Sequence, residues 1–260
     1  MKTQIFGILN ATPDSFSDGG QNADISSALK SAEKMIEDGV YAIDIGAEST
    51  RPNAQTITFA EEIERLSEIL PSVIKLGAKV SLDTRNFETA KWGLNHGVSI
   101  INDVSGFADK RMINLIKEFD VDAVFMHSLT VPPSPQIIMK TKTMLEEIYT
   151  FAKNKILEFE IAGVSKEKLI FDSGIGFGKD GGQSLILLKK TEFFNNLGVK
   201  TLIGHSRKSF LKTAFKERFS EGEVSNFEKD LMTSIFSGFL LGKVDFLRLH
   251  QTEMLKELML

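Results

Sequence analysis

The sequence predicts a (β/α)8 barrel, also called a TIM barrel, as a single domain over residues 1–260. Short apolar runs alternate with longer amphipathic segments along the whole chain, and eight such pairs in 260 residues match the size of this fold. Several amphipathic segments end in glycine, the residue that commonly follows a helix C-terminus. Because strand order cannot be read from a sequence, a doubly wound open sheet is the competing architecture.

The short apolar runs are interpreted as strands, because a parallel strand covered on both faces is apolar along most of its length. The predicted strands are Gln4–Leu9, Val40–Ile45, Lys79–Asp83, Ser99–Asp103, Ala123–His127, Lys168–Asp172, Lys200–Gly204 and Asp245–His250. The longer segments have the apolar spacing of helices. The predicted helices lie around Ile25–Asp38, Ala60–Leu76, Phe87–His96, Lys110–Phe119, Thr141–Ala162, Gln183–Leu197, Asn226–Leu241 and Gln251–Leu258.

Composition excludes several classes of function. A formal net charge of −4 argues against nucleic acid or an anionic membrane as the main partner. The absence of cysteine removes disulfides, cysteine zinc sites and thiol nucleophiles. The apolar run Ile5–Leu9 is too short for a signal peptide, and no run approaches the roughly 20 apolar residues of a membrane span. A soluble, cytoplasmic protein is therefore expected.

The stretch Lys168–Lys179 carries the most informative local pattern. A continuous apolar run ends on Asp172, glycines follow at every second position, and Lys179 closes the stretch. A carboxylate at the end of a buried strand is costly unless a polar group meets it. From this stretch alone, Asp172 could either cap the following loop or bind a ligand.

The same pattern recurs at the other strands, whose C-terminal ends converge in this fold. The polar strand-end residues are Asn10, Asp44, Asp83, Asn102 with Asp103, His127, Asp172, His205 with Ser206 and Lys208, and Arg248 with His250. The carboxylates and the amide suit a flat ligand with several N–H donors. The cationic side chains suit phosphate. A polar heterocycle that carries a phosphate group is the predicted ligand.

Four stretches are expected to form loops over or around the barrel mouth. Asn10–Gly20 and Ala47–Ala54 are rich in Gly, Ser and Pro, which is typical of mobile covers over a substrate. Ser128–Lys140 holds three prolines, and Lys216–Lys229 is dense in charge, so both are interpreted as excursions on the rim.

The chain resembles the dihydropteroate synthase family, the folate-pathway enzymes that sulfonamides inhibit. The matching segments, in the family's order, are FGILNATPDSFSDGG, DIGAESTRP, SLDT, IINDVSG, MH, DSGIGFGK, SRKSF and RLH. The resemblance implies a (β/α)8 barrel that works as a homodimer with Mg²⁺. It also implies transfer of a dihydropterin methylene group from its pyrophosphate ester to p-aminobenzoate, which gives 7,8-dihydropteroate and pyrophosphate.

The resemblance also implies roles for individual residues. The pterin-binding positions are Asp83, Asn102, Met126, Asp172, Lys208 and Arg248, of which Asp83, Asp172, Lys208 and Arg248 are the catalytic candidates. The p-aminobenzoate positions are Phe16, Thr50, Arg51, Pro52, Phe177, Ser206 and Lys208. The pyrophosphate positions are Asn10, Arg248 and His250, and Asn10 is the metal candidate.

The chain departs from the family's usual pattern at a few positions. Ala47 and Asn53 stand where glycines are usual, Ser173 replaces a proline, and Gln251 replaces an aspartate beside His250. The dipeptide His127-Ser128 is similar to that of sulfonamide-resistant members, but the loop after the GxGF segment has the ordinary length. A sulfonamide-sensitive enzyme is therefore predicted.

Two other functions stay open at this level. A methyltetrahydrofolate-dependent corrinoid methyltransferase shares pterin-binding carboxylates and amides, but it would not need the NATPDSF, STRP, SRKSF and RLH segments. A non-enzymatic pterin-binding relative is the other alternative, which Gln251 keeps open. Outside the predicted site, His96 is interpreted as a cation at a helix C-terminus, His205 as either packing or site residue, and Asp44 as potentially structural. Arg65, Arg111 and Arg218 are expected on the surface.

Overall fold

The fold is described from a computed structural model of the chain, which describes residues 2–11, 21–49, 54–134, 136–140, 142–215 and 224–256. The strands are β1 (Gln4–Asn10), β2 (Ala42–Gly46), β3 (Val80–Asp83), β4 (Ile100–Asp103), β5 (Asp122–Met126), β6 (Leu169–Asp172), β7 (Lys200–Ile203) and β8 (Phe246–Leu249). All neighbouring strands are parallel and follow in chain order, and β8 pairs with β1 to close the barrel. The predicted (β/α)8 barrel is confirmed, and the open sheet is excluded.

The helices surround the barrel. They are α1 (Gln21–Glu37), α2 (Phe59–Leu66), α3 (Ile69–Lys75), α4 (Phe87–Asn95), α5 (Arg111–Phe119), α6 (Met144–Ala162), α7 (Gly181–Lys189), α8 (Phe210–Ala214), α9 (Asn226–Leu240) and α10 (Glu253–Lys256), with 3-10 helices at Lys166–Lys168 and Thr191–Leu197. None of the helices in the described ranges is long and apolar enough to cross a membrane.

Two predicted helices are each divided in the structure. The segment predicted as Ala60–Leu76 forms α2 and α3, which meet at Ser67 and Glu68. Pro71 explains this break, because proline has no N–H and its ring clashes with the carbonyl four residues earlier in a continuous helix. The segment predicted as Gln183–Leu197 forms α7 and then the 3-10 helix Thr191–Leu197.

An apolar plug fills the lower half of the barrel interior. It consists of Phe6, Ala42, Ile100, Val124, Ile170, Leu202 and Phe246, one residue from each of seven strands. Phe6 and Phe246 pack edge to face with ring centroids 5.1 Å apart. Burying each large apolar side chain contributes about 1.5–3 kcal/mol to stability. Because the plug closes the lower half, polar chemistry is restricted to the upper, C-terminal half.

A larger apolar layer lies between the barrel and the helices. On the side of β5 and β6, Phe125 and Phe171 pack with ring centroids 5.3 Å apart, and Phe159 of α6 covers Phe125. All three side chains are almost completely buried. This packing fixes the two strands that carry Met126 and Asp172.

Candidate active site

Polar side chains replace the apolar plug two residues farther along the strands. Since alternate strand residues point to the same face, the residues two positions beyond the plug also face the barrel interior. They are Ile8, Asp44, Asn102, Met126, Asp172, Gly204 and Arg248, and four of these seven, Asp44, Asn102, Asp172 and Arg248, have polar side chains. Because side chains alternate in direction along each strand, the barrel interior has an apolar layer below and a mainly polar layer above it.

Arg248 joins two acidic strand ends across this layer. Its Nε atom donates to Asp44 Oδ2 at 2.5 Å, and its Nη2 atom donates to Asp83 Oδ2 at 2.7 Å. Asn102 Nδ2 also donates to Asp44 Oδ2, at 3.1 Å. Asp44 is completely buried, so it supports Arg248 and Asn102 from below. Arg248 is therefore held by two carboxylates in a fixed position at the barrel mouth.

The guanidinium of Arg248, shared by Asp44 and Asp83, affects the protonation of these carboxyl groups. Burial raises the pKa of the Asp83 carboxyl, with Arg248 opposing that shift and the neighbouring Asp44 adding to it. Burial also disfavours the charge on Arg248, but Asp44 and Asp83 outweigh it and raise the pKa of the guanidinium. Arg248 thus stays cationic, while two carboxylates share a single cation.

Asp172 lies at the end of β6 with one oxygen already engaged. Its Oδ1 atom accepts a hydrogen bond of 2.8 Å from the Gly174 N–H, and only 6% of the residue is exposed. Burial raises the pKa of this carboxyl, and Lys208 is the strongest opposing influence. A Cβ built on Gly204 would lie 3.5 Å from Asp172 Oδ2 and 3.9 Å from Arg248. Glycine at position 204 therefore keeps side-chain atoms out of the space between Asp172 and Arg248.

Lys208 approaches Asp172 from the loop after β7. Its Nζ atom donates to the Ile175 carbonyl at 2.6 Å and lies 4.8 Å from the centre of the Phe177 ring. Burial lowers the pKa of the ammonium to about 8, although Asp172 counteracts this effect. The loop after β6 therefore holds the cation that follows β7.

Three further predicted residues border the same mouth. Ser206 is buried and its Oγ atom lies 3.0 Å from His250 Nδ1, while the His250 backbone N–H donates to that Oγ at 3.2 Å. Asn10 ends β1 and is half-buried. Met126 and Phe177 pack in one small apolar cluster. The remaining predicted site residues, Phe16, Thr50, Arg51 and Pro52, lie outside the described residues.

Comparison with known proteins places the chain in a family. The sequence profile described as pterin binding enzyme matches residues 6–242. A dihydropteroate synthase of Clostridium beijerinckii is 36% identical over 251 residues, which cover 96% of this chain and 89% of the relative. The chain belongs to the dihydropteroate synthase family.

Two other members of the family show the extent of the likeness. A probable bifunctional folylpolyglutamate synthase/dihydropteroate synthase of Halobacterium salinarum is 39% identical over 80% of this chain, but the match spans only 26% of that relative's length. The crystal structure of the Clostridium difficile dihydropteroate synthase, determined in the presence of pteroic acid, has a TM-score of 0.88 at 31% identity. That match covers 99% of this chain and 95% of the solved chain.

Three polar strand-end residues do not face the barrel mouth. The assignment of Asp103 and His127 to the pocket was wrong, and His205, left open between packing and the site, is a packing residue. Asp103 accepts the backbone N–H groups of Ser105 and Phe107. His127 Nδ1 contacts Lys179, and His205 Nε2 lies within 3.1 Å of two oxygens of α9. Each directly follows an inward-facing position, so the period of two turns its side chain outward. That alternation is the signal which would have separated these residues from the pocket.

The predictions for single residues outside the pocket have mixed outcomes. Arg65 is not a surface residue, because it is half-buried and its Nη1 atom donates to the Ala47 carbonyl at 3.0 Å. Arg111 is exposed, as predicted, and it pairs with Asp109. His96 ends α4, where its Nδ1 atom lies 2.7 Å from the Trp92 carbonyl oxygen. Arg218 lies outside the described residues.

Replacing Ser173 by proline, the residue usual in the family, is expected to stabilise the fold. The Ser173 Oγ atom is buried, and among the described residues nothing pairs with it. Proline removes this hydroxyl and restricts the unfolded chain, which contributes about 0.4–1 kcal/mol where the backbone is compatible. Chemical denaturation of Ser173→Pro should show a raised midpoint, and Ser173→Ala as the control should show the smaller part of the gain. A lower midpoint for Ser173→Pro would contradict the expectation.

Proposed function

We propose that the chain is a dihydropteroate synthase. It joins 6-hydroxymethyl-7,8-dihydropterin pyrophosphate to p-aminobenzoate and releases 7,8-dihydropteroate and pyrophosphate. The observation that carries the proposal is the single barrel mouth at which Asp172, Asn102 and Asp83 meet the cations Lys208 and Arg248. The pteroic acid named with the Clostridium difficile structure, which contains both a pterin and a p-aminobenzoate group, supports the same substrates.

The carboxylates and the amide suit the pterin ring. A pterin presents a ring N–H beside an exocyclic amine, as guanine does, and one carboxylate can accept both hydrogen bonds in parallel. The Gly174 N–H occupies one lone pair of Asp172 Oδ1, so Oδ2 and the second lone pair of Oδ1 can accept these two hydrogen bonds. Asn102 and Asp83 provide further acceptors and a donor on the neighbouring strands. The polar groups at the barrel mouth therefore hydrogen-bond to the edge of the bicyclic pterin ring, while the apolar plug lies below the ring.

The reaction follows a dissociative course. The bond between the methylene carbon and the pyrophosphate oxygen breaks first, and its electron pair leaves with pyrophosphate. The dihydropterin ring delocalises the positive charge of the methylene group, and the amine of p-aminobenzoate then attacks that carbon and loses a proton to solvent. Lys208 and Arg248 provide positive charge for the leaving group, and His250 provides a further hydrogen-bond donor. No side chain needs to form a covalent intermediate.

The described residues fit a magnesium ion that binds together with pyrophosphate. They contain no group of three or more His, Asp and Glu side chains that would hold a metal without the substrate. Mg²⁺ typically takes one or two protein ligands and completes its shell with water and phosphate oxygens. Asn10, half-buried at the end of β1, would provide the amide oxygen. Bound there, the ion would offset the negative charge of the leaving pyrophosphate.

A pyrophosphate-release assay tests the proposed function. The protein, dihydropterin pyrophosphate, Mg²⁺ and p-aminobenzoate should together release pyrophosphate and form dihydropteroate in equal amounts. A corrinoid methyltransferase would transfer a methyl group from methyltetrahydrofolate and release no pyrophosphate. A non-enzymatic relative would bind the pterin without turnover. Either of those two results would contradict the proposal.

We expect turnover to decline above about pH 8, because Lys208 must be protonated to place a positive charge beside the substrate and its leaving pyrophosphate. Burial lowers its pKa from 10.5 to about 8, so raising the pH through this value neutralises it. The pH profile of kcat/KM should therefore show an alkaline limb near that value. Lys208→Arg should move the limb above about pH 10, since a guanidinium stays charged there. A wild-type limb at the ordinary lysine pKa would contradict this assignment.

We also propose that the protein is a homodimer, as expected from the resemblance. Four large apolar side chains recur at every fourth position of α9 and stay exposed: Phe227 at 66%, Leu231 at 45%, Ile235 at 53% and Phe239 at 45%. Such a contiguous apolar stripe supports contact with a second protein surface. Light scattering should give a dimer for the wild type and for Phe59→Asp on α2, and a monomer for Ile235→Asp. A monomeric wild type would contradict the proposal.

Cytoplasmic location and sulfonamide sensitivity stay predictions.

A further inference from the structure

The loop after β6 contains a buried lysine that none of the roles above uses. Lys179 closes the GIGFGK segment, and only 4% of the residue is exposed. Its Nζ atom lies 2.8 Å from the His127 carbonyl oxygen and 2.8 Å from His127 Nδ1. Among the described residues, the ammonium makes no salt bridge. A buried lysine without an ion pair is costly to retain, so it calls for an explanation.

The two contacts of Lys179 join the loop after β6 to the end of β5. The backbone of Gly174 lies so close to His127 that a Cβ at position 174 would be 2.0 Å from the His127 carbonyl oxygen. That same Cβ would lie 3.1 Å from Lys179 Nζ. Gly174, Gly176 and Gly178 all have positive φ angles, which a residue with a side chain adopts only with strain. The loop therefore folds back over its own closing lysine.

The two acceptors around Lys179 make this contact insensitive to protonation of the amine. An ammonium has no acceptor, so His127 Nδ1 accepts and the imidazole proton lies on Nε2. Burial lowers the pKa of His127 to about 3 and that of Lys179 to about 7. A neutral amine still has two N–H bonds, which suffice for both acceptors. The contact between Lys179 and His127 is therefore retained whether or not the lysine is charged.

The loop clamped by Lys179 carries three groups of the proposed site. Its Gly174 N–H binds Asp172 Oδ1, its Ile175 carbonyl binds the Lys208 ammonium, and its Phe177 ring lies beside that ammonium. Each of these groups depends on where the backbone between residues 173 and 179 runs. A displacement of about 1 Å at such a site can lower the rate on the order of a hundredfold.

We propose that Lys179 is a positioning residue for the proposed reaction. By donating to the His127 carbonyl and Nδ1, it fixes the loop between Ser173 and Lys179 against β5 and so places Asp172 and Lys208 at the pterin. It does not touch the substrate. The inference rests on the proposed function and deepens it.

Lys179→Met tests this proposal, because methionine fills a similar volume without donating a hydrogen bond. We expect the variant to remain folded, with a cooperative thermal transition, since it no longer buries an amine. The dissociation constant for 6-hydroxymethylpterin and the KM for dihydropterin pyrophosphate should rise on the order of ten- to a hundredfold. Hydrogen exchange should accelerate in the peptide that contains residues 174–178. Lys153→Met, on an exposed position of α6, is the matched control and should change none of these quantities.

A second variant separates loop positioning from a general loss of stability. His127→Phe removes the Nδ1 acceptor but keeps the backbone carbonyl and a ring that can pack on Phe151 as His127 does. It should show a smaller loss of pterin affinity than Lys179→Met, again with faster exchange confined to the loop. A wild-type protein that neither binds pterin nor releases pyrophosphate would overturn the proposed function. An active wild type whose Lys179→Met variant matches Lys153→Met in all three measurements would overturn this inference alone.

Discussion

Asp172→Asn is expected to lower kcat/KM on the order of a hundred- to a thousandfold while the barrel stays folded. The amide presents a donor where the pterin also presents donors, so a bidentate hydrogen bond is lost and a repulsive contact replaces it. The backbone around position 172 should change little, because the Gly174 N–H can still be met by the amide oxygen. Steady-state kinetics with dihydropterin pyrophosphate as the varied substrate measures the loss.

The stability of this variant should change in the opposite direction to its activity. Burial raises the pKa of Asp172 above its ordinary value of 3.8 in the folded protein. The folded wild type thus holds this proton more tightly than the unfolded chain, so its stability declines as the pH rises above that ordinary value. Asparagine does not titrate, and Asp172→Asn should be as stable as the wild type or more stable at neutral pH. Asp120→Asn, at an exposed position, is the control. Near-wild-type turnover by Asp172→Asn would refute the role of the carboxylate.

Arg248→Met is expected to abolish turnover and to destabilise the fold by about 3–5 kcal/mol at neutral pH. The substitution leaves the buried carboxyl groups of Asp44 and Asp83 without the cation that lies 2.5 Å and 2.7 Å from them. Chemical denaturation measures the change in the free energy of unfolding. Arg111→Met, which removes an exposed arginine and its pair with Asp109, should change it by about 1 kcal/mol or less.

The pH dependence identifies the cause of the Arg248→Met effect. Burial already raises the pKa of Asp83 in the wild type, and loss of the guanidinium removes the main opposing influence. The folded variant therefore binds more protons than the unfolded chain, and its deficit in stability should shrink as the pH falls toward 4. The double variant Arg248→Met/Asp44→Asn should recover stability at neutral pH but not turnover. A deficit that is independent of pH would contradict the explanation.

The sequence was sufficient to predict the barrel because its two periodicities are local properties of the chain. Apolar runs such as Leu169–Phe171 and the glycines that end several helices indicate strands and helices without knowledge of their packing. The break in the Ala60–Leu76 segment could also have been predicted, since Pro71 stands in its middle. Barrel closure itself could not, because it depends on pairing between β1 and β8 at opposite ends of the sequence.

The candidate site was only partly predictable. Polar strand ends indicated Asp83, Asn102, Asp172 and Arg248, which the structure brings together at one mouth. Successive side chains of a strand point alternately into and out of the barrel, and the sequence does not show which of them point inward. Met126 faces the barrel interior, whereas the next residue, His127, faces outward. The sharing of Arg248 between two carboxylates depends on distances across the barrel, which no local pattern contains.

The most direct measurement of the central claim is a crystal structure of the protein with 6-hydroxymethylpterin monophosphate. We expect the bicyclic pterin ring to lie over the apolar plug, with its ring N–H and exocyclic amine on Asp172 and its phosphate toward Lys208, Arg248 and His250. Electron density for the pterin at any place where it contacts neither Asp172 nor Lys208 would contradict the proposed binding site.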